Sequence, residues 1–440
     1  MLPEATLDGI DTIVIGAGIA GLTAARQLQR AGQRVVVLEA RDRIGGRLHT
    51  LCTDGLATDL GASWIHGIAD NPLFDLVESF GLATREFTVG SFQPDGRPIA
   101  YFDPNGQRLS NAACAAFVQD VRTVDAQLAI EIAASAPSTS YEDVVERSLA
   151  RMQWDEDRRE RVREFLRHRT EEQYGVWIGD LDAHGLDDDQ VDGDEVVFPD
   201  GYDAVATALA SGLDIRLGTV VTEVAWAAEG VRVTADETLV ATRAVVTVPV
   251  GVLQSGDLTF VPPLPATASA ALVGLRMNAF EKVFLTFPER FWDEGLYAFR
   301  RQGESGAWWH SWYDVTSRDG SPTLLTFAAG PAARAIRGWD DARVAGSVMT
   351  TLHETHPDAP APTKVQVTHW QDDPYARGSY AYMTVGSRCE DHDLLATPIG
   401  GVLHLAGEAT WSEDPATVTA AYRSGHRAAE HILGRTLPFT

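Results

Sequence analysis

A glycine-rich turn that begins at residue 16 has the residue types and the spacing that bind phosphate groups. An apolar run at 13–15 leads directly into Gly16-x-Gly18-x-x-Gly21, and an alanine- and leucine-rich segment typical of a helix follows. Gly16 permits a tight turn, Gly18 lets the backbone approach a pyrophosphate, and Gly21 lets the helix pack closely on the strand. The N-terminus of that helix supplies N–H groups and a partial positive charge for the phosphates.

A second apolar run, at 35–38, ends on Glu39, whose carboxylate is placed to accept hydrogen bonds from a ribose diol. A glycine-rich turn alone often does no more than connect a strand to a helix. Here the strand, glycines, helix, second strand and terminal acid occur in the order that a dinucleotide site requires. The sequence therefore predicts a dinucleotide-binding site.

The residues that follow Glu39 indicate which dinucleotide is bound. Arg41 and Arg47 flank the pair Gly45 and Gly46, and they would hold the pyrophosphate from the side opposite the helix through bidentate hydrogen bonds. A nicotinamide cofactor has to bind and dissociate during turnover, whereas a second cationic, glycine-rich phosphate loop suits a cofactor that stays bound. We therefore predict FAD.

Lys282 lies in the run Glu-Lys-Val-Phe-Leu, which is typical of an apolar strand. A lysine is costly in such a strand unless it is paired, so Lys282 is either a functional residue or an exposed residue on an edge strand. The chain shows no Ser/His/Asp arrangement for nucleophilic catalysis and no pattern of zinc ligands. We expect no metal site.

The elements that must position these residues extend over the whole chain. The pattern predicts a short amphipathic helix near 72–81, a largely helical segment over 110–178, strands between 214 and 250 and between 275 and 330, helices at 331–356, a strand at 401–405 and a helix over 417–433. The first and last of these regions have the features of one nucleotide-binding unit. We therefore predict two discontinuous domains: an FAD-binding domain of residues 1–75, 196–265 and 385–440, and a substrate-binding domain of residues 76–195 and 266–384.

The composition is that of an ordinary globular protein with room for two or more domains, since 45% of its 440 residues are hydrophobic and 22% are charged. The three cysteines, Cys52, Cys114 and Cys389, are odd in number and widely spaced, which argues against a disulfide framework and for a reducing compartment. The sequence starts without the features of a signal peptide, and no apolar run is long enough for a membrane helix. We expect a cytoplasmic protein with no membrane partner.

The formal net charge is −26, which repels nucleic acid and attracts cations. Such a charge either draws polycationic substrates towards the protein or serves solubility, and solubility is slightly favoured. Half of the residues between 180 and 195 are acidic. This run is either a solvated loop or, if it lines the mouth of the active site, a device that steers amines inward.

Five stretches that span nearly the whole chain resemble the flavin-dependent amine oxidases. The run at 39–47, Glu-Ala-Arg-Asp-Arg-Ile-Gly-Gly-Arg, is similar to the signature of that family, and the run at 60–67, Leu-Gly-Ala-Ser-Trp-Ile-His-Gly, looks like the flavin-contacting loop of polyamine and spermine oxidases. The run at 196–202 is similar to a segment shared with flavin-type histone-lysine demethylases. The remaining stretches lie at 370–380 and at 406–425.

The resemblance implies an α/β and α+β fold in which a Rossmann-like FAD-binding domain of the amine-oxidase type is interleaved with a mixed-sheet and helical substrate-binding domain. It also implies a reaction. Hydride passes from a C–N carbon of a small cationic amine to flavin N5, water hydrolyses the imine, and O2 reoxidises the flavin with release of H2O2. The cofactor carries this chemistry, and the protein supplies orientation and electrostatics.

By the same resemblance, Lys282 holds a water at flavin N5, and Tyr380 forms one wall of an aromatic cage that holds the amine nitrogen. Monoamine oxidases carry a second tyrosine where this chain has Thr417, which favours the polyamine-oxidase and demethylase branch. His66 matches a polyamine-oxidase position and would bind or orient the substrate amine. Ser379 replaces the cysteine that links covalently to flavin in monoamine oxidases, so we expect non-covalent FAD.

The backbone of Val221 should meet the adenine, Glu408 fits the ribityl chain, and Val418 opens the last helix, whose dipole would stabilise anionic reduced flavin. The complete set of expected FAD contacts is Gly16, Gly18, Gly21, Glu39, Arg41, Gly46, Arg47, Gly61, Ala62, Ser63, Trp64, Val221, Trp370, Tyr375, Gly407, Glu408, Thr417 and Val418.

The leading hypothesis is an FAD-dependent polyamine oxidase that acts on spermidine- or spermine-like secondary amines, as a monomer or homodimer. A monoamine or L-amino-acid oxidase of the same fold remains an alternative, although no arginine stands out as a partner for a substrate carboxylate. A non-catalytic flavoprotein is a further alternative, as is a dehydrogenase that uses O2 poorly. Glu171 and Glu172 could engage a distal ammonium or lie on the surface of a helix, and we leave them out of the predicted site.

Overall fold

The computed structural model describes residues 9–53, 55–88, 99–185, 192–303, 308–316 and 320–439. Within these ranges, none of the helices has both the length and the apolar character needed to span a bilayer. The α-helices are α1 (Ile19–Arg30), α2 (Pro72–Ser79), α3 (Asn111–Ala134), α4 (Tyr141–Arg151), α5 (Glu156–Tyr174), α6 (Ala204–Ala210), α7 (Val250–Ser255), α8 (Ala266–Val273), α9 (Gly330–Ala335), α10 (Asp341–Thr355), α11 (Glu390–Leu395) and α12 (Val418–Leu433).

The β-strands are β1 (Ile10–Ile15), β2 (Val35–Leu38), β3 (Thr50–Thr53), β4 (Leu56–Asp59), β5 (Trp64–Ile65), β6 (Arg85–Glu86), β7 (Ile99–Phe102), β8 (Val196–Val197), β9 (Asp214–Arg216), β10 (Glu223–Ala227), β11 (Gly230–Thr234), β12 (Thr238–Val246), β13 (Thr259–Val261), β14 (Leu275–Met277), β15 (Phe280–Thr286), β16 (Ala298–Arg301), β17 (Ser311–Asp314), β18 (Thr323–Ala329), β19 (Lys364–Val367), β20 (Ala381–Met383) and β21 (Leu403–Leu405).

The largest sheet has its strands in the order β13-β10-β11-β12-β1-β2-β9, and β21 pairs with the second half of β12. Strands β12, β1, β2 and β9 are mutually parallel, and β21 is parallel to β12. Parallel strands are covered on both faces, which is why β1 and β2 are almost continuously apolar. The carboxyl ends of β1, β2 and β21 meet at one edge. Gly16 and Glu39 directly follow β1 and β2 there, and Gly407 lies two residues after β21.

Helices α1 and α12 pack on the face of this sheet that Val14, Val35 and Val37 form. The two helices approach closely because Gly425 has no side chain: a Cβ there would lie 2.2 Å from the carbonyl oxygen of Ala20. Side chains of α8, α11 and β20 cover the opposite face. Both faces of the sheet are therefore covered by side chains.

A second sheet has the order β19-β15-β18-β17-β16-β7 and is antiparallel except for the parallel pair of β16 and β7. Strand β15 pairs on both sides, with β18 and β19. Lys282 is in β15, so the alternative of an exposed lysine on an edge strand is wrong. On the opposite side of β15, Val283 and Leu285 pack into the core beneath α10.

Helices α3, α4 and α5 pack around a third apolar cluster that includes Val121, Val144 and Leu166. The last residues of α5, 172–174, reach the six-stranded sheet, where Glu172 accepts a hydrogen bond from the hydroxyl of Tyr313 in β17. This helical layer therefore closes one end of the space between the two large sheets.

The predicted fold class is confirmed: a Rossmann-like parallel sheet is combined with a mixed sheet and a helical layer. The helical segment predicted over 110–178 is α3, α4 and α5, and the last predicted helix is α12. Within the region 214–250 that was predicted to form strands, residues 217–222 form the loop between β9 and β10. The division into two discontinuous domains stays a prediction.

Candidate active site

A cavity of about 930 Å3 lies between the carboxyl edge of the large sheet and one face of the six-stranded sheet. Cofactor and ligand sites are roughly 300–1,000 Å3 in volume, so this cavity has the size of such a site. Every residue predicted for the site lines the cavity except Gly21, which lies in α1 behind the glycine-rich turn. The structure thus brings together residues from 16 to 418 that are scattered along the chain.

The glycine-rich turn has the geometry that the sequence predicts. Gly16 has a φ of 104°, a left-handed conformation that favours glycine. A Cβ on Gly21 would lie 2.0 Å from the carbonyl oxygen of Gly16, so only glycine lets α1 pack this closely. A Cβ on Gly18 would meet its nearest neighbour, the Gly45 oxygen, only at 4.0 Å and would instead project into open space beside the cavity.

Glu39 is buried at the end of β2, and its carboxylate fixes the surrounding loops. It accepts hydrogen bonds from the backbone N–H of Ala17 at 2.7 Å and of Arg41 at 2.9 Å. Its own backbone carbonyl accepts from the N–H of Thr219 at 2.8 Å, which brings the loop that contains Val221 to the cavity. Each carboxylate oxygen has a further lone pair that a ribose hydroxyl can use.

Arg41 has a partner that the sequence did not reveal. Its guanidinium donates two hydrogen bonds to Asp373, at 2.6 and 2.7 Å, and lies 5.3 Å from the ring centre of Tyr375. Arg41 lines the cavity, so its predicted contact with a pyrophosphate stays a prediction. Through these bonds Arg41 also connects the loop after β2 to the segment 370–380.

Arg47 connects three parts of the site. Its guanidinium donates to Glu408 Oε1 at 2.7 Å and to the carbonyl of Ser379 at 3.0 Å. Its own carbonyl accepts from the N–H of Ala62, and a Cβ on Gly61 would lie 1.9 Å from that same oxygen. Gly61 is therefore required for this fold of the 60–64 loop.

The loop at 60–64 is also held from the other side, since Trp370 Nε1 donates to the carbonyl of Leu60 at 2.9 Å. Gly46, beside Arg47, has a φ of 59°, and a Cβ there would lie 3.3 Å from Gly18. The two glycine-rich turns thus pack against each other at the cavity wall.

Helix α12 begins at the cavity with Val418. The side chain of Thr417 caps this helix: its hydroxyl accepts from the N–H of Ala420 at 3.0 Å and donates to the carbonyl of Asp414 at 2.8 Å. The position of Thr417 where monoamine oxidases carry a second tyrosine, and its contact with FAD, stay predictions. The structure gives its hydroxyl a capping role that the sequence analysis did not include.

Lys282 points its ammonium into a pocket of oxygen atoms. Nζ donates to the carbonyl of Gly61 at 2.6 Å, to the carbonyl of Asp59 at 3.2 Å and to Ser63 Oγ at 2.5 Å. The ring centre of Trp64 is 5.6 Å away. Burial lowers the pKa of Lys282 to about 8, although the carboxylate of Asp59 acts in the opposite direction.

Tyr380 belongs to an aromatic wall on the side of the cavity formed by the six-stranded sheet. Its ring centre is 5.9 Å from that of Phe280, which is 4.8 Å from Phe327, and Phe327 in turn is 5.3 Å from Tyr313. The Tyr380 hydroxyl donates to the backbone carbonyl of Glu172 at 3.4 Å. Burial raises the pKa of Tyr380, which keeps its hydroxyl neutral.

His66 lines the cavity with 45% of its side chain exposed, and its Nδ1 lies 2.5 Å from Oε1 of Glu195. Glu195 is buried, with 1% of its surface exposed. The carboxylate that accompanies His66 was not predicted, because it lies at the end of the acidic run 180–195 and resembles a solvated residue there. Gly185 and Asp192 of the same run also line the cavity, whereas 186–191 lie outside the described residues.

The far end of the cavity contains charged residues that the predicted site omits. Glu172 and Arg300 both line the cavity and are buried, with 3.8 Å between Arg300 Nη2 and Glu172 Oε2. The hydroxyl of Tyr313 donates to Glu172 at 2.9 Å and accepts from Arg300 at 3.3 Å. The clue in the sequence was a pair of acids at the end of a charged helix, but the helix has charges on every side, so its pattern did not identify a buried face.

Behind Glu172, the buried residues His168, Glu171 and His310 form the one group in the described ranges whose ligand atoms are close enough for a metal ion. The two imidazole rings stack at 3.9 Å with their planes 6° apart. Their nitrogen lone pairs therefore lie in parallel planes and do not converge on one ion, which does not suit a tetrahedral site. Burial lowers the pKa of both histidines, and that of His310 falls to about 3.

Comparison with known proteins identifies the family to which this chain belongs. The sequence profile of the flavin-containing amine oxidoreductases matches residues 19–433, which is nearly the whole chain. The chain belongs to this family. It is 33% identical to polyamine oxidase 2 of Arabidopsis thaliana over 447 residues, covering 97% of this chain and 88% of that protein.

The amine oxidase is also 32% identical over 440 residues to lysine-specific histone demethylase 2 of Homo sapiens, covering 96% of this chain but only 53% of the demethylase. Among solved structures, putrescine oxidase bound to putrescine superposes with a TM-score of 0.80 and 23% identity, over 97% of this chain and 99% of that one. The structural likeness shows a shared fold.

The cavity of this amine oxidase fits the flavin cofactor that the family requires. Glu408 Oε2 is buried and has no hydrogen-bond partner within the described residues, so it is an acceptor suited to a ribityl hydroxyl. Any side chain at position 18 would narrow the cavity beside the glycine-rich turn. The N-terminus of α12 also lies at the cavity and can bind an anionic group. The enzyme therefore has the residues to bind a flavin and oxidise an amine.

Proposed function

We propose that this amine oxidase binds FAD non-covalently and oxidises a C–N bond of linear polyamines of the spermidine or spermine type. When bound, the cofactor supplies the hydride acceptor, and O2 restores it with formation of H2O2. The imine product then reacts with water to give an aldehyde and a shorter amine.

One observation carries this proposal: the cavity combines an aromatic wall with the buried carboxylates of Glu172 and Glu195. Aromatic faces attract cationic or amine nitrogens, and a carboxylate attracts an ammonium group. A linear polyamine carries several such nitrogens separated by short methylene chains. It can therefore place one nitrogen against the wall of Tyr380 and Phe280 while another nitrogen lies towards an acid.

The role proposed for Lys282 follows from its partners. Its Nζ is held by Gly61 and Ser63 in the loop that the family uses at the flavin, and a lysine with a pKa near 8 can exchange a proton at neutral pH. We assign to Lys282 the task of holding a water close to the flavin, for reoxidation or imine hydrolysis.

Non-covalent binding is supported by the site of Ser379. Its hydroxyl donates to the carbonyl of Phe280 at 2.7 Å, and a serine forms no thioether bond with a flavin. Cys52, Cys114 and Cys389 do not line the cavity, as far as the described residues show. Acid denaturation of the purified yellow protein is therefore expected to release all of its flavin as FAD, and flavin that stays with the precipitate would contradict the assignment.

The substrate class is tested by adding amines to the purified enzyme without oxygen and following the flavin absorbance. Spermidine, spermine and N-acetylated polyamines are compared with tyramine, benzylamine and a set of L-amino acids. We expect polyamines to bleach the flavin. Bleaching by amino acids or simple monoamines alone would refute the proposal.

Arg300 favours a second candidate function, the oxidation of an L-amino acid. An arginine that lines the cavity could pair with a substrate carboxylate through two parallel hydrogen bonds. Arg300 already faces Glu172 and Tyr313, which is why we place this candidate second. Bleaching by L-amino acids that is lost on Arg300→Met, while polyamines have no effect, would establish it instead.

The remaining features are proposals of the same kind. We infer that the enzyme acts in the cytoplasm, as a monomer or homodimer, and that nucleic acid and membranes are not its partners. The net charge of −26 supports the inference on nucleic acid. The chain spans about half the length of the demethylase that it matches.

A further inference from the structure

The register of two paired strands places His66 opposite Glu195. Strands β5 and β8 are antiparallel, with Trp64 opposite Val197 and Ile65 opposite Val196. Continuing this register by one residue places His66 opposite Glu195. The two side chains therefore meet because the strands pair, and not because two mobile residues happen to be close.

The backbone of Glu195 is held on its other side as well. Its N–H donates to Thr88 Oγ1 at 3.0 Å, and its carbonyl accepts from the N–H of Phe87 at 2.9 Å. Phe87 also packs at 6.0 Å from Trp64, whose ring lies nearly parallel to that of His66. A buried carboxylate on a fixed backbone thus faces one specific nitrogen of a histidine that lines the cavity.

The chemistry of this pair follows from the positions of the atoms. A carboxylate has no proton to donate, so the proton between Glu195 and His66 resides on Nδ1. In a neutral imidazole, a proton on Nδ1 leaves a lone pair on Nε2. That nitrogen can then accept a hydrogen bond from an ammonium or amine N–H.

We propose that Glu195 is a positioning residue for amine binding: by accepting the Nδ1–H of His66 it holds the ring in place and selects the Nδ1–H tautomer of the neutral imidazole, so that Nε2 serves as an acceptor for a substrate nitrogen. This inference deepens the proposed function and rests on it only for the identity of the amine. The opposite arrangement, an imidazolium, would present a second N–H donor and would repel a cationic substrate.

The first test needs no substrate. Histidine labelled with 15N in the flavin-loaded enzyme is observed by NMR at pH 7.5, and the signals of His66 are assigned by comparison with His66→Gln. We expect the shifts of a protonated Nδ1 and an unprotonated Nε2, and we expect Glu195→Gln to alter them. An imidazolium or an Nε2–H tautomer in the wild-type enzyme would overturn the proposal.

The second test measures KM and kcat for spermidine in a double-mutant cycle. Glu195→Gln is expected to raise KM about tenfold with less than a threefold change in kcat, and the same change made in the His66→Gln background should have no further effect on KM. Additive effects of the two changes would show that Glu195 does not act through His66.

Asp194→Asn is the matched control. It removes the same charge from the neighbouring residue, which is exposed and does not line the cavity in the described part of the chain. We expect the KM of Asp194→Asn for spermidine to stay within a factor of two of wild type. A rise in KM as large as that of Glu195→Gln would show that net charge causes the effect and would refute the proposal. If spermidine fails to bleach the wild-type flavin, the proposed substrate is wrong, and the NMR result still decides the role of Glu195.

Discussion

Arg41 and Asp373 are 332 positions apart in the chain, yet the guanidinium of one forms two parallel hydrogen bonds with the carboxylate of the other. Burial alone would raise the pKa of Asp373, but the hydrogen bonds and charge of Arg41 outweigh it and hold that pKa below its usual value. The pair joins the loop after β2 to the segment 370–380, and both line or border the cavity.

Asp373→Asn is expected to weaken flavin binding even though Asp373 is not a predicted flavin contact. It breaks the bidentate pair and frees the 370–380 segment, so the flavin dissociation constant should rise several-fold, as measured by fluorescence titration of the apoprotein. Arg41→Ala should do the same or more. If Asp373→Asn leaves the affinity unchanged while Arg41→Ala lowers it, Arg41 acts on the flavin directly and not through Asp373.

Lys282→Met is expected to slow turnover or flavin reoxidation by at least tenfold while FAD remains bound. The change removes the hydrogen bonds of Nζ to Gly61 and Ser63 but keeps an unbranched side chain in the interior strand β15. Stopped-flow spectroscopy separates the reductive and oxidative half-reactions, and absorbance gives the flavin content. Loss of FAD with an unchanged rate per bound flavin would contradict the assigned role.

The depressed pKa of Lys282 predicts a pH dependence of stability with a definite sign. Below about pH 8 the lysine is protonated in both states, so its burial penalty is constant. Between about pH 8 and 10 the folded protein has released this proton and the unfolded chain has not, so stability rises with pH. Relative to Lys282→Met, wild type should gain up to about 1.4 kcal/mol per pH unit in this window. Urea unfolding of both proteins at several pH values measures the difference, and parallel curves would refute it.

Gly21→Ala is expected to destabilise the protein and reduce its flavin content. The new Cβ would lie 2.0 Å from the carbonyl oxygen of Gly16, a backbone atom that cannot move without opening the turn. Gly346→Ala is the control, because this residue also lies within a helix, α10, but a Cβ there meets nothing within 4 Å. The control should be neutral or stabilised by up to about 1 kcal/mol, and equal thermal shifts for the two variants would remove the steric explanation.

Glu172→Gln is expected to raise KM for spermidine about tenfold and to affect a monoamine such as benzylamine less, because only the longer substrate reaches the far end of the cavity. Glu171→Gln is a matched control. Burial raises the pKa of Glu171 to about 8, so this residue is largely neutral at pH 7 and glutamine replaces it closely. A similar rise in KM for both variants, or for both amines, would show that Glu172 is not a subsite for a second nitrogen.

The sequence was sufficient for the parts of the site that a few consecutive residues determine. Neighbouring residues in the sequence are enough to predict the glycine-rich turn, the acid at the end of the second strand and the strand that contains Lys282. The structure places Gly16, Glu39 and Lys282 around one cavity. The partners of those residues were not predictable in the same way. Asp373 meets Arg41 through the packing of two loops, and Glu195 meets His66 through the register of β5 and β8.

Glu172 and Arg300 escaped prediction for a different physical reason. A helix with charges on every side gives no apolar stripe, and so the burial of its last acids depends on the sheet that packs over them. Arg300 lies in β16, where its burial is made possible by Tyr313 and Glu172 from two other elements. A charged residue that is stable only with distant partners has no local signal in the sequence.

The close approach of α1 and α12 has a consequence for how the protein is made. The glycine-rich turn is synthesised well before α12, the helix that ends at Leu433 and covers one face of its sheet, and before β21 at Leu403–Leu405, which adds a strand beside β12. During translation, α12 can cover this face of the large sheet only after the chain has been synthesised as far as Leu433. We therefore expect flavin binding to follow the synthesis of α12.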